Sequence, residues 1–167
     1  VARLILKAQY LNVALMIWLG GLLFGLPAGI LSGLVLAIGA PYVLLSRFVY
    51  TDALLLCAVL TTMGLFWRWR ERPSSSILST VLVGLSIALM LNTKYPAYLV
   101  AAGLGFGLLL DRPAKLRGPG IGLLASVSVL GLVPVTVWNL AHDWGSVRWQ
   151  LTHVTGVSPG SRVLGPW

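Results

Sequence analysis

Two stretches of this chain are too long and too apolar for single helices. Between Val13 and Leu45 there is no charged residue at all, and between Ile77 and Leu110 there is one, Lys94. A helix rises about 1.5 Å per residue, and about 20 apolar residues cross the hydrocarbon core of a bilayer. Each stretch therefore predicts a pair of helices folded back in a membrane. The composition agrees. Of the 167 residues 57% are hydrophobic and only 10% charged, with a mean hydropathy of +0.90. A soluble domain carries about a quarter charged residues, and this chain lacks the polar side chains to cover itself in water.

The breaks give the helix boundaries. Gly25-Leu26-Pro27 divides the first stretch, since proline is accepted in a first helical turn, giving helices at about 5–25 and 27–45. The first carries Lys7, Gln9 and Asn12 near its start. A third helix opens near Asp52 and closes on Trp67-Arg68-Trp69-Arg70, before the polar loop Glu71-Arg72-Pro73-Ser74-Ser75-Ser76. Asn92-Thr93-Lys94-Tyr95-Pro96 divides the second stretch into two shorter helices, and a sixth helix spans about Gly120 to Trp138. The expected fold is an all-α polytopic transmembrane bundle of about six spans, over residues 1–140. Residues 141–167 then form an external or interfacial segment. No basic start with a small-residue cleavage site marks a signal peptide, so the first apolar segment reads as a span. With Val1 at one end and a loop-like Trp167 at the other, we read the bundle as incomplete at both ends.

Charge gives the orientation. The net charge of +8 sits largely in short loops, where it controls topology and meets anionic lipid. No basic face or nucleic-acid-reading module is present, which argues against a nucleic-acid partner. Arg68, Arg70 and Arg72 form one cluster, and Arg112, Lys115 and Arg117 another. Lysine and arginine in short loops stay cytoplasmic. If 77–110 is a hairpin, both clusters lie on one side, so the rule favours the hairpin. The turn at Gly25 to Ala28 should then also be cytoplasmic, although it carries no charge. The external side receives the Arg3 end, the turn Ser46 to Asp52, the turn around Lys94 and the tail from Asn139.

Several features have plain structural readings. Cys57 is the only cysteine, which excludes an internal disulfide or a CxxC site and leaves a small buried hydrophobe. Gly21, Gly25, Gly29 and Gly33 stand four apart, as do Gly103 and Gly107, a spacing that lets membrane helices approach closely. Gly118-Pro119-Gly120-Ile121-Gly122 lacks the preceding strand and the GK[ST] ending of a phosphate loop. The tryptophans of the tail, with Val147, Leu151 and Val154 on one face of a short helix, read as interface anchors.

The residues left over for chemistry gather on the external side. Asp52 caps or opens the third helix, and a carboxylate at the mouth of a membrane cavity can also bind a hydroxyl, hold a cation or act as a base. Lys94 either snorkels to the interface or offers a cation to a lipid phosphate. Arg47 is similar, with a guanidinium that can fork onto phosphate oxygens. His142, Asp143 and His153 could hold a metal, but no HExxH motif or carboxylate cluster supports it, and no metal ligand is assigned. No nucleophile elbow is present.

Three passages carry a family resemblance. Pro41…Ser46-Arg47…Thr51-Asp52-Ala53-Leu54 resembles the second external loop of family 39 glycosyltransferases. These are membrane enzymes of the GT-C type, which include protein O-mannosyltransferases and the lipid A aminoarabinose transferase. Gly84…Leu91-Asn92-Thr93-Lys94-Tyr95-Pro96-Ala97 is similar to their "G…L..K..A" segment. Pro134…Trp138-Asn139…His142-Asp143-Trp144…Arg148 looks like the helix end and loop that follow. The resemblance implies a transferase that moves a sugar, usually with inversion, from a polyprenyl-phosphate-linked donor. The acceptor would be a glycan, lipid or protein on the external face of a membrane, with a bacterial inner membrane as the expected setting. It implies Asp52 as the conserved carboxylate, Lys94 near the donor phosphate, and His142 and Arg148 lining the same cavity; Arg47 and Asp143 are further substrate-binding candidates. Some family sites are described with a divalent metal and others without, so the cofactor stays open. The family's first external loop, with its usual catalytic base, would precede Val1, so the chain alone is expected to be inactive. Two rival readings remain: a secondary transporter or lipid flippase, which also places ionisable groups in the membrane, and a non-catalytic scaffold.

Overall fold

The computed structural model describes residues 2–39, 52–72 and 76–155, and all the regular structure among them is helical. The chain divides into two compact units, Val1–Leu132 and Val133–Trp167. The first holds α1 (Ala2–Phe24), α2 (Leu26–Ile38), α3 (Asp52–Glu71), α4 (Ile77–Leu91), α5 (Pro96–Asp111), a 3₁₀ turn (Pro113–Arg117) and α6 (Pro119–Leu130). The second holds α7 (Val133–Ala141) and α8 (Gly145–Thr155).

Each break has a local cause. Gly25 adopts φ +92° between α1 and α2, a left-handed conformation open to glycine, and a proline follows in the first turn of α2. Asp52 stands in the first turn of α3, and Arg68 and Arg70 in its last, the order that suits the helix dipole. Ser76 caps α4 by accepting from Ser79 N at 3.1 Å. Asn92 ends α4, with its backbone N–H directed to the carbonyls of Ala88, Leu89 and Met90. Pro96 then starts α5 after the turn, as expected.

α1 packs against α2 and α3, α3 against α4 and α5, and α4 against α5 and α6. The glycine series at 21, 25, 29 and 33 is not one helical face, because it crosses the turn at Gly25. Instead the two helices fold back so that Gly29 approaches the backbone of Ile17 and Gly21, where no side chain would fit. Gly103 and Gly107 differ from expectation, since nothing lies within 4 Å of where their Cβ atoms would be. A second close approach joins α4 to α6, which run parallel. Thr80 stands beside Gly120, Gly84 beside Leu124 and Val127, and Ala88 against Gly131.

The core of this unit is Phe66, Trp69, Val83, Ile87, Leu108 and Leu124. Around it many large apolar side chains also face outward. On α4 the leucines 78, 82, 85 and 89 are exposed, while Thr80, Gly84 and Ser86 are buried. Large apolar side chains outside and small or polar ones inside are the pattern of a helix facing lipid. Residues 7–24, 52–71 and 120–141 are long and apolar enough to cross a membrane, and α2, α4 and α5 are shorter apolar helices. The sixth span departs from the single helix expected. The N–H groups of Gly131 and Leu132 bond three residues back, to Ser128 and Val129, and this tight turn separates α6 from α7. Gly131 fits against Ala88, and Pro134 stands in the first turn of α7, the same kind of sign that marks the break at Gly25.

Candidate functional site

The 77–110 hairpin brings both charge clusters to one end of the unit. Arg70 pairs with Asp111, and Arg112 with Glu71 at 3.3 Å, joining the ends of α3 and α5. Glu71 also lies 3.3 Å from Arg70. Aromatic rings complete this arrangement. Arg70 lies 4.3 Å from the ring centre of Trp67, and Arg68 lies 5.3 Å from that of Trp18. Beneath them Trp69 Nε1 donates to Thr80 Oγ1 at 3.0 Å.

At the opposite end Lys94 Nζ lies 2.7 Å from Asp52 Oδ1. These two residues are 42 positions apart and were drawn together from the sequence only by topology. Asp52 is set by the start of α3, whose N-terminal turn favours a carboxylate. Lys94 is held by the turn around it. Thr93 Oγ1 donates to Met90 O at 2.6 Å, Ala97 N to Lys94 O at 3.0 Å, and the Asn92 amide to the carbonyls of Ala88 and Gly131. Tyr95 and Tyr98 stack beside it with ring centres 6.1 Å apart. The side chains of Asp52 and Lys94 are 48% and 35% exposed. An ion pair so open to solvent contributes at most about 1 kcal/mol to stability. Its chemistry is better matched to a ligand. The ammonium is a point charge for an anion, and the carboxylate accepts a hydroxyl proton or hydrogen bond.

In the second unit, His142 stacks on Trp138 with ring centres 4.3 Å apart and planes 9° from parallel. Its Nδ1 lies 2.8 Å from the Trp138 carbonyl. A carbonyl only accepts, so Nδ1 carries the proton and Nε2 faces outward. Asp143 and Trp144 both take left-handed conformations, φ 50° and 58°, which non-glycine residues adopt at some cost. The turn is held by Asn139, which is buried. Its carbonyl accepts from Trp144 N at 2.8 Å, and its Oδ1 accepts from Ser146 Oγ at 2.6 Å. Arg148 follows on α8, exposed, with its N–H bonded to Trp144 O at 2.9 Å.

Of the candidates named from sequence, the structure brings together Asp52 and Lys94. His142, Asp143 and Arg148 belong to the second unit, and Arg47 lies outside the described residues. Among the described residues no three of His, Cys, Asp and Glu stand close enough to share a metal ion. The Asp52 carboxylate is, moreover, engaged by an ammonium, a poor neighbour for a cation. These residues do not fit a divalent metal. A residue that sequence reasoning passed over is Asn12, noted only as polar. Its Nδ2 donates to Ala53 O at 2.9 Å, next to Asp52.

Apolar helices whose polar groups are confined to their ends and contacts define a polytopic integral membrane protein. The chain belongs to the dolichyl-phosphate-mannose-protein mannosyltransferase family, whose profile matches residues 4–138. This match bears out the family resemblance and covers the first two passages and the third as far as Trp138. The chain is also similar to a lipid A galacturonosyltransferase, RgtD, of Rhizobium johnstonii, with 28% identity over 116 residues. That alignment covers 66% of this chain and 24% of the relative, so the chain spans about a quarter of that protein's length. No solved structure matches the chain.

Proposed function

We propose that this chain is part of a membrane glycosyltransferase. The enzyme moves a sugar from a polyprenyl-phosphate-linked donor to a glycan, lipid or protein acceptor on the external face. The bacterial origin of the galacturonosyltransferase relative supports a bacterial inner membrane as the setting. The observation that carries the reading is the Asp52–Lys94 pair, at the end of the bundle opposite the arginine clusters. The leaving group of such a transfer is an anionic lipid phosphate. A fixed cation stabilises the charge that develops on it, and Lys94 has that role. Asp52 is the catalytic carboxylate and acts on a hydroxyl of the sugar or acceptor, as base or hydrogen-bond acceptor. When phosphate takes the ammonium, the carboxylate is released to that hydroxyl. His142, Asp143, Arg148 and Arg47 are the further substrate-binding residues.

The bundle offers a place for the lipid chain. A cavity of about 310 Å³ lies between α4, α5 and α6. It reaches from Leu91 and Leu132, near the Lys94 end, to Leu116 and Ile121, and among the described residues Ser128 is the one polar side chain on its wall. Such a wall suits a prenyl chain.

The test is transfer by the intact enzyme in proteoliposomes supplied with polyprenyl-phosphate sugars. Transfer by the wild type and its loss in Asp52→Asn, by about 100-fold or more, is the expected result. Transfer that is unchanged in Asp52→Asn, or uptake of a substrate without any transfer, would contradict it.

A further inference from the structure

Asn12 lies on α1 with none of its surface exposed. Its Nδ2 donates to the carbonyl of Ala53 at 2.9 Å, while its Oδ1 is buried with no hydrogen-bond partner among the described residues. Burying an amide in an apolar helix contact is unfavourable, and an unmet acceptor makes it more so. For packing alone, a branched apolar side chain such as leucine would serve better at this position. The bond that Asn12 does make is therefore informative. Ala53 follows Asp52 in the first turn of α3, so the link ties α1 to the turn that carries the carboxylate. Further along the same helix pair the Trp18 ring lies against Gly64, with the Arg68 guanidinium over its face. Shape contacts between smooth helices allow small shifts along the axis, whereas a hydrogen bond fixes one register.

We propose that Asn12 is a positioning residue for Asp52, holding the start of α3 at the depth where the carboxylate meets Lys94. The proposal rests on the reading of Asp52 as the catalytic carboxylate. A small displacement of a reacting group can lower turnover up to about 100-fold without changing what the enzyme binds. In Asn12→Leu the effect falls on kcat, about 10-fold or more, with the donor KM within about 3-fold. The detergent-solubilised variant should melt at or above the wild-type temperature, since an unsatisfied buried amide is removed. Asn12→Gln, which keeps the donor, should retain more turnover than Asn12→Leu.

The decisive experiment is a cycle of Asn12→Leu and Asp52→Asn in the intact enzyme, with transfer kinetics and melting measured for each. If Asn12 acts through Asp52, Asn12→Leu changes the residual rate of Asp52→Asn by less than about 2-fold. If the losses multiply, Asn12 acts elsewhere and the proposal is wrong. Loss in Asp52→Asn with full turnover in Asn12→Leu also overturns it, while leaving the reading of Asp52 intact. If Asp52→Asn itself is without effect, both fall. Where leucine prevents folding, Asn12→Ala, which only removes atoms, carries the same cycle.

Discussion

At one end of the first unit Arg70, Glu71, Asp111 and Arg112 form a chain of mutual contacts, flanked by Trp67 and Trp18. At the other, Lys94 meets Asp52 across half-exposed surface, and a wholly buried amide holds the neighbouring turn. Both arrangements join helix ends, yet they share their charge differently. In the arginine network each acid touches two guanidiniums, so one lost contact leaves others in place. The Lys94–Asp52 pair stands on two side chains, so a third charge entering the site must change both. The first arrangement ties helix ends together, whereas under the proposed function the second gives way to an anionic donor.

Changes at the two ends should therefore have unequal consequences. The largest is expected for Lys94→Glu, which sets two carboxylates against each other. Transfer by the intact enzyme should fall in kcat/KM by about 100-fold or more, with a raised donor KM. Less should follow from Thr80→Val, which removes the acceptor of Trp69 Nε1 beneath the arginine network at unchanged side-chain volume. Stability should drop by about 1 kcal/mol, read from thermal unfolding in detergent, with transfer within about 2-fold of wild type. The smallest is expected for Glu71→Gln. Its carboxylate is 42% exposed, and exposed pairs contribute about 0–1 kcal/mol, so melting and transfer should both stay close to wild type. A severe loss of transfer in Glu71→Gln would break the comparison, and a mild effect of Lys94→Glu would break it from the other side.

Much of this contrast could be read from the sequence. The arginines betray their side of the membrane because they interrupt apolar runs in short loops. The same rule forces the hairpin at 92–95 and so draws Lys94 towards Asp52. The sequence misleads where contact depends on shape. Gly103 and Gly107 have the spacing of a packing face but meet no neighbour, whereas Gly29 and Gly84 sit against backbone or side chain. Spacing shows that a close approach is allowed, and only the fold shows that it occurs. The turn at Gly131 was passed over although Pro134 stands three residues on, in the first turn of α7, because the apolar run continues through it without a polar break. Asn12 was visible as a polar residue, but its partner lies 41 positions away and is a backbone carbonyl, which leaves no trace in the sequence.

In this topology the Asp52–Lys94 end lies outside and the arginine end inside. Single cysteines at Thr93 and Ala114, in intact enzyme with Cys57 replaced, test it with a membrane-impermeant thiol reagent added to whole cells. Labelling is expected at position 93, and none at position 114 until the cells are opened. Labelling at 114 with protection at 93 would invert the bundle, place the ion pair away from any external acceptor, and overturn the proposed function.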